Sequence, residues 1–195
     1  MSKKLAGKVA MVTGGSRGIG AAIAERLAAD GAHVAITYTA SAEKAEAVAV
    51  KLESHGVRSA AFKADQADPV AVAAMVEAVV KKFGRLDILV NNAGVFTMGV
   101  LGDPASDIAA LEREQAINVG GVVAAVRAAV KHIGEGGRII NIGSVIASRV
   151  AFPGLAGYAA SKNSPPPSRF SPVPIRRSSP ARRSMSMAGM VRKME

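Results

Sequence analysis

Residues Val12–Ala24 read VTGGSRGIGAAIA. The residues just before, KVAMVT (Lys8–Thr13), form a short β-branched run; those after, AAIAERLAADG (Ala21–Gly31), have helical composition and end on a glycine suited to a left-handed cap. A glycine-rich turn between a strand and a helix places the chain among α/β folds. Gly14 permits a tight turn off the strand, Gly18 lets backbone approach a pyrophosphate, and Gly20 lets the helix lie close to the sheet. The helix N-terminus then faces phosphate charge. Ser16, Arg17 and Ile19 complete the turn and belong to the same candidate cofactor site. The spacing G-x-x-x-G-x-G differs from the commoner dinucleotide fingerprint, so a glycine-rich turn without function stays open on these residues alone.

Outward from this turn, strand and helix patterns alternate. HVAITY (His33–Tyr38) reads as a strand, and Ser41–Gly56 as a helix with Ser41 at its N-cap. SAAFKAD (Ser59–Asp65) reads as a third strand, and Asp68–Gly84 as a helix with Asp68 as N-cap, Pro69 at the first position and Gly84 as stop. Leu86–Asn92 is a continuous apolar run, as expected for a strand buried on both faces. A long helical stretch covers Asp107–Ile133, and GRIINIGS (Gly137–Ser144) is strand five. The alternation predicts right-handed crossovers and a doubly wound parallel sheet in three layers, of the Rossmann type.

Composition narrows the function class. The chain has 195 residues, 49% hydrophobic but only 4% aromatic, which suits tight helix–sheet packing by small aliphatic side chains. It has no Cys, and His33, His55 and His132 are far apart without ligand spacing, so neither disulfides nor a metal site are expected. No secretory h-region or membrane-length span is present, which predicts a soluble cytoplasmic protein. The net charge of +10 is concentrated at one end. From Asn163 onward there are seven Lys and Arg and one acid, so six of the ten excess charges lie there. A basic tail invites a nucleic-acid partner, but only Phe170 is available for base stacking, and none is expected.

Tyr158 and Lys162, in YAASK, are four residues apart, so a helix presents both on one face. A phenol is ordinarily a poor acid near neutrality, and an adjacent ammonium favours its ionised form. A Tyr–Lys pair alone is more often an ordinary surface pair.

TGGSRGIG, NNAG (Asn91–Gly94), Asn118, Ser144 and YAASK, in that order and spacing, resemble the short-chain dehydrogenase/reductases. The nearest look is to the 3-oxoacyl-acyl-carrier-protein reductases, and the resemblance runs from about Leu5 to Lys162. It implies an NADP-dependent oxidoreductase that reduces a carbonyl by hydride transfer. Tyr158 would be the proton donor, Lys162 would hold the nicotinamide ribose, Ser144 would bond the substrate oxygen and Asn118 would hold a relay water. The interval from Ser144 to Tyr158 is one residue longer than the family's commonest spacing. The resemblance sets Asn92, Ala93 and Gly94 beside the adenosine ribose, with sheet support alone as the other reading. It sets Asp65 and Gln66 at the adenine, against a plain helix-entry acid at Asp65.

Cofactor choice is legible between two turns. The stretch TYTAS (Thr37–Ser41) has no acid to engage the 2′-hydroxyl of NAD or repel a 2′-phosphate. Arg17 stands where a guanidinium reaches that phosphate, and Thr39 adds a hydroxyl. The alternative for Arg17 is a solvated surface side chain.

Residues 163–195 hold seven Ser, six Pro and six Arg, which predicts a disordered tail after a catalytic unit of residues 1–162. Relatives continue past the Tyr–Lys helix with further strands and helices, so the sheet is expected to be incomplete at that edge, with activity doubtful. Read one nucleotide earlier, SMSMAGMV (Ser184–Val191) becomes Asp-Val-Asp-Gly-Gly-x-Gly under a suitable choice of codons. That resembles the family's C-terminal VDGG, and the tail is expected to be that terminus in a shifted frame. Intact relatives form homo-oligomers.

Overall fold

The computed structural model describes residues 3–150 and 152–162; the expectation of a disordered tail over 163–195 lies outside them. Five strands, β1 (Val9–Val12), β2 (His33–Tyr38), β3 (Ser59–Lys63), β4 (Ile88–Asn91) and β5 (Arg138–Asn141), form one parallel sheet in the order β3-β2-β1-β4-β5. The chain runs outward through β1, β2 and β3, then returns to place β4 on the other side of β1. That reversal opens a crevice at the carboxyl ends of β1 and β4, where open α/β sheets bind their ligands.

The helices are α1 (Gly18–Ala29), α2 (Ala42–Glu53), α3 (Pro69–Phe83), α4 (Ile108–Gln115), α5 (Gly121–Ala129) and α6 (Ala156–Ser161). Alternate residues of each strand feed two cores. Val9, Met11 and Leu89 pack with Val72, Val76, Val79 and Ala125 under α3 and α5. Ala10, Val12, Val34, Ile36 and Val90 pack with Ala24, Ala28 and Leu52 under α1 and α2. This is the predicted three-layer arrangement.

Several local expectations need correction. The first helix starts at Gly18, inside the glycine turn, so α1 directs its first N–H groups from within that motif. Ser41 occupies the N-cap of α2 but makes no side-chain capping bond, whereas Asp68 accepts from Val70 and Ala71 as predicted. Asp65 and Gln66 follow β3 rather than end it, because Asp65 turns the chain by accepting the Ala67 N–H. The long helix over 107–133 is interrupted by a π-helical turn, Ala116–Gly120, which displaces the ladder by one residue.

Among the described residues β5 is an edge of the sheet, as expected for GRIINIGS. Ile139 packs towards the α3–α5 core, but Ile140, on the opposite face, is 44% exposed. An apolar strand edge of this kind is a site for pairing or aggregation.

Asp87 ties β1 to β4. Its carboxylate, 7% exposed as a residue, accepts from the Val9 N–H at 2.9 Å, Lys8 Nζ at 3.3 Å and Arg85. Burial pushes the Asp87 carboxyl up, but the Arg85 guanidinium, the Val9 N–H and the Lys8 ammonium outweigh it and hold it below the usual carboxylate range. A carboxylate whose value is lower folded than unfolded stabilises the fold above the ordinary carboxylate range, and this contribution is lost as pH falls through the lowered value. Asp87→Asn is therefore expected to cost about 1–3 kcal/mol at neutral pH and much less in strong acid. Urea denaturation at both pH values checks this, and an equal cost at both would refute it.

Candidate active site

The glycine turn is held by its neighbours rather than by its own side chains. Gly14 has φ +65°, and a Cβ added there would meet Ala93 Cα at 3.0 Å, so the turns after β1 and β4 lie against each other. A Cβ on Gly20 would strike the Gly14 carbonyl oxygen and Asn92 Nδ2. A Cβ on Gly15 would lie 2.7 Å from Ile36. Thr13 Oγ1 accepts the N–H groups of Asn92 and Ala93, each at 3.0 Å, and Asn92 Nδ2 donates to the Thr13 carbonyl at 2.9 Å. Thr37 Oγ1, from β2, accepts the Gly14 N–H at 3.1 Å. Asn92 and Ala93 thus support the glycine turn directly.

The N-terminus of α1 has no side-chain cap and no acid in its first turn. Gly18 is open on the side where a Cβ would stand, and Arg17 and Ile19 are exposed beside it. An uncapped helix start with a basic neighbour and backbone open to approach is suited to a phosphate. Thr39 follows β2, and its hydroxyl donates to the Ala64 carbonyl at 3.2 Å, so towards another group it acts as an acceptor unless that bond is exchanged. Asp65 is occupied by the Ala67 N–H and by a two-bond pair with Arg113, at 3.1 and 3.0 Å. These partners, the Ala67 N–H first, hold its carboxyl below the usual range. Gln66 is buried against Gly121, and its Nε2 has no partner among the described residues.

The other half of the site is built on α6. Six residues are too few for a stable isolated helix, so tertiary contacts hold α6 in place. Leu155 and Ala159 are buried, Gln115 Nε2 donates to the Gly157 carbonyl at 3.0 Å, and Asn118 Nδ2 donates to Ser161 Oγ at 2.9 Å. The Lys162 N–H donates to the Tyr158 carbonyl at 3.0 Å, closing the last helical turn and putting both residues on one face. Tyr158 is half-buried, its ring edge-on to that of Phe96 with centroids 5.0 Å apart.

Asn118 lies in the π-helical turn and is 4% exposed. Its Oδ1 accepts the Val95 N–H, and its Nδ2 also donates to the Val95 carbonyl, both at 2.9 Å. With both amide hydrogens engaged, it can meet a water only as an acceptor. A Cβ on Gly94 would touch both Lys162 Nζ, at 2.5 Å, and Asn118 Oδ1, at 3.1 Å. Gly94, Asn118 and Lys162 therefore converge at the carboxyl end of β4. Burial pushes the Lys162 amine below the ordinary lysine range, while the Glu114 carboxylate acts the other way.

Ser144 caps a 3₁₀ turn, Val145–Ala147, that packs on α6. Its Oγ accepts the Ile146 N–H at 3.2 Å, which leaves the hydroxyl hydrogen available to donate. The loop between Ser144 and Tyr158 is anchored where the Gly154 carbonyl accepts the Gly99 N–H at 3.1 Å. Asn118, Ser161 and Lys162, with Asn91, Asn141 and Ile142, line a cleft of about 220 Å³.

Sequence reading missed Thr13, Gly15, Thr37 and Glu114. Thr13 and Thr37 look like ordinary strand residues, and their bonds depend on which strands are neighbours. Glu114 had a signal: it falls on the stripe Leu111, Glu114, Asn118, where a helix buries its side chains.

Residues 8–164 match the family described as short chain dehydrogenase. An uncharacterized oxidoreductase of Methylorubrum extorquens is 46% identical over 159 residues, covering 82% of this chain and 63% of that protein. Versicolorin reductase of Emericella nidulans is 42% identical over 159 residues, with 82% and 60% covered. Among solved structures, a short chain dehydrogenase from Burkholderia cenocepacia in complex with NADP superimposes with a TM-score of 0.78 at 55% identity, covering 82% of this chain and 64% of that one. A blue fluorescent protein from a metagenomic library, in complex with NADPH, gives a TM-score of 0.78 at 49% identity, with 82% and 64% covered. The chain spans 60–64% of the length of these relatives.

Proposed function

The chain belongs to the short-chain dehydrogenase family, and on that premise we propose that it serves an NADP(H)-dependent oxidoreductase that interconverts a carbonyl compound and an alcohol. The observation that carries this is the convergence of Gly94, Asn118 and Lys162 beside a tightly packed glycine cradle in which Gly18 is open to approach. That cradle, the uncapped start of α1 and the exposed Arg17 fit a phosphate-bearing nucleotide. NADP-bound and NADPH-bound relatives of the same fold support the choice.

Bound nicotinamide supplies the hydride. Ser16, Gly18 and Ile19 would receive the pyrophosphate, while Gly14 and Gly20 let the turn and the helix pack close and Asn92 and Ala93 support the turn. Asp65 and Gln66 lie on the adenine side; the Asp65–Arg113 pair would orient that wall rather than bind by charge. Lys162 and Tyr158 would hold the ribose, and the Tyr158 hydroxyl would give its proton to the carbonyl oxygen. Ser144, with a hydrogen to donate, would hold that oxygen in place. Asn118 would accept from a water that returns the proton, and its bonds to Val95 and Ser161 fix its position.

NADPH is expected to bind roughly ten- to a hundred-fold more tightly than NADH, since a guanidinium–phosphate contact contributes about 1.5–3 kcal/mol. Arg17→Ala should remove most of this preference. Fluorescence titration of both cofactors tests it, and equal affinities in the parent chain would overturn it. Consumption of NADPH with simple ketones tests the reaction class. The exposed β5 edge favours a second reading of the chain by itself, as a unit that binds nucleotide without turnover. Tight NADPH binding with no NADPH consumption would select that reading.

A further inference from the structure

We infer that Glu114 is a positioning residue of this site: its buried carboxylate holds the segment 95–99 along the helix that carries Asn118 and sets its second oxygen against α6, the helix that leads to Lys162. Leu111, Glu114 and Asn118 are three and then four residues apart, so they form one stripe down α4 and the π-helical turn. The segment after β4 lies along that stripe and touches it with every second residue. The Val95 N–H and carbonyl bond Asn118, the Thr97 N–H donates to Glu114 Oε2 at 2.6 Å, and a Cβ on Gly99 would lie 2.9 Å from Leu111 Cδ1. Two extended residues advance about 6.6 Å, and three or four helical residues roughly 4.5–6 Å, so the two repeats stay nearly in step. Phe96, between the anchored residues, is the one whose ring meets Tyr158.

Glu114 is fully buried, and its Oε1 has no hydrogen-bond partner among the described residues. That oxygen would lie 3.9 Å from a Cβ on Gly157, the residue before Tyr158. A buried carboxylate with one bonded oxygen is costly unless a charge faces it. The charged group acting on it is Lys162, at the end of α6; Arg113 of α4 is paired with Asp65, and the segment 95–99 carries no charge. Burial lifts the Glu114 carboxyl above the ordinary range, opposed by the Thr97 N–H and the Lys162 ammonium. Lys162 shows the converse: burial lowers it and Glu114 raises it.

The test uses the full chain without nucleotide or carbonyl compound, so it stands apart from the reductase reading, on which only the word positioning rests. Glu114→Leu removes the acceptor. Amide exchange of Thr97 is expected to quicken about ten-fold or more, while amides of β1 and β4 keep their protection. Glu114→Gln keeps an acceptor for Thr97 and removes the charge. Thr97 protection should then stay near that of the parent, while the Lys162 amine titrates at lower pH. The titration is followed by NMR of labelled lysine side chains and assigned with Lys162→Arg. A carboxylate that only filled space would leave Lys162 unmoved, and that result in Glu114→Gln overturns the inference. So does unchanged Thr97 exchange in Glu114→Leu. Should the leucine variant not fold, the glutamine variant decides alone.

Discussion

Tyr158→Phe is expected to abolish nearly all carbonyl reduction while leaving NADPH affinity close to that of the parent. The experiment requires the chain extended to the length of its relatives, of which it spans 60–64%. Phenylalanine keeps the edge-on contact with Phe96 and the packing of α6, and removes only the hydroxyl, which leaves Lys162 to hold the ribose. Loss of a positioned general acid reduces turnover by about 10²–10⁴-fold, and the other hydroxyl of the site, that of Ser144, is an alcohol and too weak an acid to replace it. Lys162 is held beside Gly94, and the Asn118 amide hydrogens are engaged with Val95 and Ser161. Steady-state turnover and a fluorescence titration on the same preparation check both halves. Turnover retained in the phenylalanine protein would mean that the acid is another group.

Gly20→Ala is expected to lower stability by about 2–3 kcal/mol and to remove nucleotide binding. The added methyl would run into the Gly14 carbonyl oxygen and Asn92 Nδ2, and the first of these is backbone in a turn already pressed against Ala93. Moving α1 outward to relieve the clash would part it from Val12 and Ile36, and moving the turn would break the bonds from Asn92 to Thr13. Either adjustment displaces the start of α1 from the crevice. A shifted urea midpoint and a lost NADPH signal are the readouts. A variant that binds NADPH normally at parental stability would show that Gly20 does not set the contact of helix and sheet.

Two further cofactor positions are instructive because their chemistry depends on neighbours distant in sequence. Asp65 looked like an acid available to a ligand or to a helix start. Its carboxylate is instead taken by Ala67, two residues on, and by Arg113, forty-eight residues on. Thr39 adds a hydroxyl beside the candidate phosphate site, and its hydrogen is engaged with the Ala64 carbonyl. Local pattern could show neither, because a side chain's available hydrogen bonds are what remain after the fold has used its share.

The alternation of elements, the parallel sheet, the turn at Gly14–Gly20 and the Tyr158–Lys162 pairing are all legible in the residues alone. These rest on short-range physics: the periods of strand and helix, the caps at Asp68 and Gly84, and the steric freedom of glycine. Which groups meet is set by the packing of distant segments. β4 returns beside β1, so Thr13 holds Asn92 and Ala93, and Asn118 reaches both Val95 and Ser161. The same packing buries Glu114 opposite α6 and leaves Ile140 uncovered at β5. Charge and exposure are properties of the assembled surroundings: desolvation and pairing arise only when segments far apart in the chain come together.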